Sequence, residues 1–147
     1  MLVLPFRRPE GDPLEYAIFR RSDQNYWQVL AGGGEDDELP LAAAKREAFE
    51  EAHIPDSASF FPLKTRSSIP VYHFRDRSSW PRDQYVIPGY HFGVDASRLT
   101  ITLSHEHTEF RWVGPDEARE LLHWQSDVVA LWELNARLSN GDLSDPA

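Results

Sequence analysis

Residues 32–54 constrain the fold more than any other part of this chain. The segment opens on three consecutive glycines, which break the apolar run that precedes them. An alanine-rich stretch follows, and it predicts a helix over residues 39–52. Pro40 suits the first turn of that helix, where a backbone N–H would have no helical partner in any case. The sequence therefore predicts a glycine bend that leads directly into a helix.

The predicted helix has an acidic face and an apolar face. At about 100° per residue, Glu47, Glu50 and Glu51 stand at positions i, i+3 and i+4, so their carboxylates point into one small volume. The small side chains of the other face let the helix approach a sheet closely. They form a narrow stripe of Leu41, Ala44, Ala48 and Ala52.

The acidic face needs compensation, because carboxylates on adjacent turns repel one another by roughly a few tenths of a kcal/mol for each exposed pair. Carboxylate oxygens suit Mg²⁺ or Mn²⁺, which also bind phosphate oxygens and can activate water. The alternative is an ordinary solvated acidic face, and the three glutamates on their own favour that alternative.

The segment resembles the Nudix box, a pattern of glycine, five residues, glutamate, seven residues, and then Arg-Glu-apolar-any-Glu-Glu-any-Gly-apolar. A match with these fixed gaps is far more specific than a lone glycine-rich loop, and the chain is identified as a member of the Nudix family. The last glycine is missing, and His53 stands in its place. The matching residues are Gly32, Glu38, Arg46, Glu47, Ala48, Glu50, Glu51 and Ile54.

The resemblance implies a role for the charged residues of the motif. Glu50 and Glu51 are expected to bind the metal. Glu47 is expected to be a further ligand or the general base, with Arg46 orienting it during catalysis. Glu38 is expected to pair with Arg46 and so brace the loop against the helix.

The resemblance also implies roles for the uncharged residues of the motif. Gly32 and Gly33 are expected to contact the diphosphate of the substrate. A backbone carbonyl near Ala31 or Gly32 is implied as a metal ligand, and Ile54 is expected to be structural.

Two departures from the family pattern affect the shape of the motif. His53 falls where the helix should end, a position that often needs a positive φ. Histidine tolerates that conformation better than most residues do, and Pro55 still stops the helix, so we expect the turn to survive at some cost in stability. Asp37 stands where many members have glycine, and this concerns the shape of the loop rather than the helix.

A second segment, residues 103–113, is also rich in functional side chains. His105 and His107 suggest zinc, but no third nitrogen or sulfur ligand has the spacing of a known zinc motif, and zinc is disfavoured. The segment resembles the part of Nudix proteins in which a glutamate outside the box reaches the metal or serves as base. Glu106 fits that position best as metal ligand and catalytic residue, and Glu109 is the second candidate.

Together with residues 26–28, this second segment is similar to the branch that includes dATP and dihydroneopterin-triphosphate pyrophosphohydrolases. Outside the box the resemblance is loose, so other loops are expected to choose the substrate. Arg75 is a candidate for phosphate binding, and Trp80 is a candidate for stacking on a base. An exposed loop with ordinary charges is an equal alternative. The same two roles are open to Arg77, Arg82 and Tyr85.

Hydrophobic patterning predicts strands mixed with two or three helices, which indicates an α+β or α/β layered domain. The Nudix resemblance implies the more specific fold, an α+β domain of the α/β/α sandwich type with a mixed sheet packed between helices. One domain over residues 1–147 is expected, with a loose tail at 139–147. The predicted helices cover residues 39–52, 115–122 and 127–138. The predicted strands cover residues 3–6, 16–20, 26–30, 60–63, 69–74, 85–94 and 110–113.

Composition narrows the class of protein further. The absence of cysteine excludes disulfides, zinc–thiolate sites and thiol nucleophiles. A formal net charge of -9 disfavours a nucleic acid polymer as partner. No apolar run reaches membrane-spanning length and the first residues lack the core of a signal peptide, so no membrane partner and a cytoplasmic location are expected. A homodimer is left open.

The sequence thus predicts a Mg²⁺-dependent (or Mn²⁺-dependent) Nudix hydrolase that cleaves a diphosphate linkage in a small, nucleoside triphosphate-like substrate. Three alternatives stay open. The first is a hydrolase of dinucleoside polyphosphates of the Ap4A type. The second is a Nudix-like domain that binds a nucleotide without cutting it, and the third is a plain structural domain with an acidic helix.

Overall fold

The computed structural model describes residues 1–143 and 146–147 of the chain. The three helices are α1 (Pro40–Ala52), α2 (Pro115–Leu121) and α3 (Gln125–Ser139). Two short 3₁₀ turns, Val71–His73 and Arg75–Ser79, lie in the connection between the fifth and sixth strands. The strands are β1 (Leu2–Arg7), β2 (Glu15–Arg21), β3 (Trp27–Gln28), β4 (Leu30–Ala31), β5 (Phe60–Pro70), β6 (Val86–Asp95) and β7 (His107–Val113).

The strands form one mixed sheet. Its main order is β3-β2-β1-β6-β5, while β4 pairs with β1 and β7 pairs with β2. The pairing of β1 with β6 is parallel, and the other pairings between these strands are antiparallel. The predicted mixed sheet is therefore confirmed.

A gap opens in this sheet between β1 and β2. The two strands pair at Phe6↔Tyr16 and Arg7↔Glu15, and then they separate. Residues 27–31, here called the crossing segment, fill the gap by pairing first with β2 and then with β1. The crossing segment ends directly before Gly32, so the gap in the sheet sets the position of the glycine bend.

Helices cover both faces of the sheet. Alternation along β2 sends Ala17 and Phe19 towards α1, and Tyr16 and Ile18 towards α2 and α3. Ala44, Ala48 and Ala52 of α1 are fully buried against the first of these faces, as the sequence pattern predicts. The α/β/α sandwich is therefore confirmed.

The prediction of a strand over residues 69–74 is wrong. β5 is a single strand that ends at Pro70, and the chain turns at Val71–His73. Polar residues in its middle hid the continuity of β5 from the sequence pattern. They are tolerated because β5 is an edge strand with one exposed face, on which Arg66 and Ser68 lie, while Ser67 points to the other face and its hydroxyl is buried.

The described part of the predicted tail contacts the body of the domain. The Asp142 N–H donates to the Arg137 carbonyl over 2.8 Å, and the Ala147 N–H donates to the Phe60 carbonyl over 2.8 Å. Two residues of the tail, Ser144 and Asp145, lie outside the described residues. A loose tail over residues 139–147 stays a prediction.

None of the helices in the described ranges is both long enough and apolar enough to cross a membrane.

Glu133 connects α3 to an irregular point of β5. The register of β5 shifts between Pro62 and Arg66, which leaves the backbone N–H groups of Lys64 and Thr65 to find other acceptors. The Glu133 carboxylate accepts both of them over 2.7 Å, and it also accepts the Thr65 hydroxyl. A single carboxylate thus holds a helix to an interrupted strand.

We expect Glu133→Ala to lower the free energy of unfolding by about 2 kcal/mol, because it leaves the exposed Lys64 N–H and the partly buried Thr65 N–H without their charged acceptor. Urea denaturation measures the effect. The control is Glu120→Ala on the exposed face of α2, which should stay within about 0.5 kcal/mol of wild type. Equal stabilities for the two variants would contradict this account of Glu133.

Candidate active site

Helix α1 ends in a left-handed turn, although His53 stands where the family pattern has glycine. His53 adopts φ 55° and ψ 30° at the C-cap. Its N–H donates to the Phe49 carbonyl over 2.9 Å, and the Ile54 N–H donates to the Ala48 carbonyl over 3.2 Å. Histidine therefore takes the place of the usual glycine without loss of the helix-ending hydrogen bonds.

Arg46 joins the glycine bend to α1. Its guanidinium donates to both oxygens of Glu38 over 3.2 and 2.9 Å, and to the Gly33 carbonyl over 2.8 Å. It also donates to Glu47 over 2.8 Å and to Glu50 over 3.3 Å. Hydrogen bonding by Glu38 raises the pKa of Arg46, so the bracing group stays charged. The structure thus brings Arg46 and Glu38 together as the resemblance implies.

Glu47 lies directly against the glycine bend. Its carboxyl group occupies the position that a side chain on Gly32 would need, so a Cβ atom at Gly32 would overlap it. Burial raises the pKa of Glu47, and the neighbouring Arg46 opposes that shift. A glycine at position 32 is therefore a condition for the observed position of this carboxyl group.

Glu51 is the most deeply buried carboxylate of the motif, with 2% of its surface exposed. One oxygen accepts the Ala31 N–H over 3.2 Å. Burial raises the pKa of Glu51 to about 9, and the charges of Glu106 and Glu47 add to that shift. Three carboxyl groups thus interact at the end of the crossing segment.

Glu106, and not Glu109, is the residue of this segment that interacts with Glu51. The turn before β7 carries Glu106, and its carbonyl accepts the Ser22 N–H over 2.9 Å. Glu109 lies further along β7 and pairs with Arg20 over 3.2 Å, with Arg111 at 3.7 Å. The sequence preference for Glu106 agrees with this placement. Glu47, Glu51 and Glu106 are called the acidic cluster from here on.

The backbone of Met1 also reaches the acidic cluster, which no sequence signal indicated. Its amino group donates a hydrogen bond to the Gly32 carbonyl, and the Gly32 N–H donates to the Met1 carbonyl over 3.0 Å. Burial lowers the pKa of this amino group, while the charges of Glu47 and Glu51 oppose that shift. The glycine bend is thus attached to the start of β1.

The donor set of this site fits a hard divalent cation. Glu51 is buried beside two further carboxylates, and the hydrogen bond it accepts in the described ranges comes from a neutral backbone N–H. Glu50 lies next to the cluster but has 55% of its side chain exposed, because it pairs with Arg46. Within residues 1–143 and 146–147, no three carboxylate or imidazole groups already form a metal cage. Rotation of the Glu50 side chain would add a further carboxylate.

The two predicted substrate residues outside the motif lie in the connection between β5 and β6, residues 71–85. Arg75 is exposed, and its charge is one of several that lower the pKa of Asp23, after the hydrogen bond from Arg21. Arg75 therefore lies on the side of the loop that faces the turn between β2 and β3. Trp80 packs on Phe74 at 5.3 Å between ring centroids, so its ring belongs to the packing of the loop itself.

The second histidine of the segment before β7 is part of the core. His107 is buried, and its ring lies 5.4 Å from that of Phe19. Burial lowers its pKa. His105 is exposed at the turn. The pair therefore divides between core and surface, which gives no support to the zinc alternative.

Comparison with known sequences gives a family match over most of the chain. The model of the NUDIX domain matches residues 3–132. Nudix hydrolase 12, mitochondrial, of Arabidopsis thaliana is 35% identical over 105 residues, which cover 69% of this chain and 49% of that protein. The chain thus spans about half the length of this relative. Dihydroneopterin triphosphate diphosphatase of Haemophilus influenzae is 27% identical over 116 residues, 76% of this chain and 72% of that protein.

Solved structures agree with the sequence matches. A NUDIX hydrolase structure from Listeria monocytogenes superposes with a TM-score of 0.87 and 39% identity, covering 97% of this chain and 95% of that one. An Ap4A hydrolase of C. elegans superposes with a TM-score of 0.68 and 18% identity, covering 94% and 96% of the two chains, which shows the shared fold alone. The motif, the arrangement of its side chains and these matches together show that the chain belongs to the NUDIX family.

Proposed function

We propose that this chain is a divalent-metal-dependent hydrolase that cleaves a diphosphate linkage in a nucleoside triphosphate-like substrate. The observation that carries the proposal is the position of Glu51. This buried carboxylate interacts with Glu47 and Glu106, and it accepts the Ala31 N–H directly before a glycine bend in which Gly33 and Gly34 are exposed. A buried carboxylate beside two other carboxylates is unfavourable in its ionised form, and a bound cation would stabilise that form.

Glu47, Glu50, Glu51 and Glu106 would hold Mg²⁺ or Mn²⁺. Such ions, when bound, offset the charge of phosphate oxygens and lower the pKa of water.

Side chains and backbone groups of the chain are the candidates for proton transfer and for substrate contacts. Glu47 is the candidate general base, because burial raises its pKa towards the range in which a carboxylate can take a proton. Arg46 fixes the orientation of Glu47 through a 2.8 Å hydrogen bond. The backbone of Gly32 and Gly33 borders the same volume and is the candidate contact for the diphosphate.

The substrate class is the less constrained part of the proposal. A relative named for dihydroneopterin triphosphate favours a triphosphate, and a structural neighbour named for Ap4A keeps dinucleoside polyphosphates as the alternative. Arg75 is the candidate for binding the distal phosphates, since it is exposed in the loop that approaches the turn between β2 and β3. Trp80 stays a second candidate contact in that loop.

Activity against a panel of nucleotides tests the proposal. The panel contains nucleoside triphosphates, dihydroneopterin triphosphate and dinucleoside polyphosphates, each with Mg²⁺ or Mn²⁺, and product analysis identifies the bond that breaks. We expect release of pyrophosphate or phosphate, and a loss of about 100-fold or more in kcat/KM for Glu50→Gln and Glu51→Gln.

The control is Glu120→Gln, which removes an exposed charge from α2 on the opposite face of the sheet. It should retain wild-type activity. Saturable nucleotide binding without any product, for every member of the panel, would favour a non-catalytic binding domain instead. Absence of both cation binding and nucleotide binding would favour a structural domain.

A homodimer and a cytoplasmic location stay predictions from the sequence.

A further inference from the structure

Asp127 is a buried carboxyl group on the opposite face of the sheet from α1. It lies in the first turn of α3 and has no exposed surface. One of its oxygens, Oδ2, accepts the Val29 N–H over 3.3 Å. The other, Oδ1, has no hydrogen-bond partner among the described residues. Burial of such a group is unfavourable for folding, and groups of this kind are often found supporting functional sites.

Val29 is the central residue of the crossing segment. It lies between β3 and β4, where the chain leaves β2 and has not yet joined β1. Its N–H therefore takes its acceptor from α3 rather than from a neighbouring strand. Asp127 supplies the acceptor that a neighbouring strand would provide in an unbroken sheet.

The crossing segment is held by carboxyl groups from both helical layers. Asp127 holds Val29 from the α3 layer, and two residues later Glu51 holds the Ala31 N–H from the α1 layer over 3.2 Å. The next residue is Gly32, whose Cα lies against the carboxyl group of Glu47. A shift of the backbone at Val29 would therefore be transmitted to the two residues that contact the acidic cluster.

The connection before α3 is attached to the same segment. The His123 N–H donates to the Trp27 carbonyl over 3.0 Å, and Trp27 also forms a bridge with Leu122. The first turn of α3 is thus fixed against the start of the crossing segment. These contacts fix the position of Asp127 relative to Val29.

We infer that Asp127 is a positioning residue for the metal site: it fixes the crossing segment so that Ala31 and Gly32 meet Glu51 and Glu47 in register. The inference rests on the proposed function, because the site that it positions is the proposed metal site. Asp127 itself touches neither substrate nor cation. It acts through the backbone of residues 29–32.

Three variants of Asp127 separate positioning from general stability. Asp127→Leu and Asp127→Ala remove the acceptor, and the first of them fills the space with an apolar side chain suited to its surroundings. Asp127→Asn keeps an acceptor for the Val29 N–H. The matched control is Glu133→Ala, because Glu133 also holds α3 to the sheet but bonds to β5 and not to the crossing segment.

Two readouts are measured without substrate, well below the unfolding temperature. One is the exchange of the amide hydrogens of Val29, Ala31 and Gly32 with solvent deuterium. The other is the dissociation constant for Mn²⁺, from calorimetry. In whichever of the Leu and Ala variants is folded, we expect amide exchange to be about tenfold faster and the dissociation constant about tenfold higher. Asp127→Asn should recover most of both losses.

The inference is overturned if a folded variant without the acceptor binds Mn²⁺ as tightly as wild type does. It is also overturned if Glu133→Ala weakens Mn²⁺ binding equally, or if Asp127→Asn behaves as Asp127→Ala does. Failure of the proposed function has a different signature, namely wild-type protein that binds Mn²⁺ but cleaves no nucleotide in the panel.

Discussion

Glu51→Gln should raise the free energy of unfolding of the metal-free protein and at the same time remove most of its proposed hydrolytic activity. The carboxyl group of Glu51 is buried beside two other carboxylates, and its pKa rises from 4.5 to about 9. A glutamine of the same shape is neutral at every pH, so the variant does not need to take up a proton on folding. It also loses a metal ligand of the proposed site, for which we expect a decrease in kcat/KM of about 100-fold or more.

The pH dependence of this effect has a defined sign. Because the pKa is higher in the folded state than in the unfolded state, the contribution of Glu51 to stability is complete below pH 4.5 and is lost as the pH rises through about 9. The variant lacks this loss, so its advantage grows with pH. It amounts to at most about 4 kcal/mol near pH 7.5, from about 1.4 kcal/mol per pH unit.

Urea denaturation with a chelator present, at about pH 5 and about pH 8, measures the difference. Glu50→Gln is the matched control, since Glu50 lies on the same helix but has a largely exposed side chain. It should lose activity with little change in stability at either pH. A Glu51→Gln variant that is no more stable than wild type at about pH 8 would show that the carboxyl group is not desolvated as described.

Gly32→Ala is expected to reduce activity by about 100-fold while the fold is retained. A methyl group at this position overlaps the Glu47 carboxyl group, which must move, and displacement of a catalytic group by about 1 Å is enough for a loss of that size. The glutamate is a flexible side chain, so we expect the backbone to keep its course. Steady-state kinetics and a circular dichroism spectrum measure the two effects.

The neighbouring Gly34 supplies the control for this substitution. A Cβ atom at Gly34 would meet the Met1 side chain at an ordinary contact distance of 3.5 Å. Gly34→Ala therefore adds the same methyl group to the same bend without displacing a member of the acidic cluster. Equal activities for the two alanine variants would mean that the approach of Glu47 to Gly32 does not matter for catalysis.

The sequence predicted the features that depend on residues close together in the chain. Helix α1 follows from a regular repeat of alanines and glutamates, and the structure places it at Pro40–Ala52. The pairing of Arg46 with Glu38 follows from the fixed gaps of the motif. The structure places Glu106 near Glu51 and pairs Glu109 with Arg20, while a role of Glu106 in metal binding or catalysis stays a prediction.

The sequence could not predict features that depend on contacts between distant residues. Asp127 looks like any acidic residue in the first turn of a helix, and only the tertiary structure places it under Val29. The gap between β1 and β2 leaves no mark on the hydrophobic pattern, since residues 26–30 read as one ordinary strand. The end of β5 was misplaced for a related reason, because Pro70 and its polar neighbours obscure the strand until its pairing with β6 is known.

The gap between β1 and β2 has a consequence for how the whole domain unfolds. In an unbroken sheet, a helix can detach from one face while the strands keep their own hydrogen bonds. Here the crossing segment depends on Asp127 on one face and on Glu51 on the other. Detachment of either helix would remove a hydrogen bond from the crossing segment. We therefore expect α1 and α3 to unfold together with the sheet in one cooperative transition, and not as independent units.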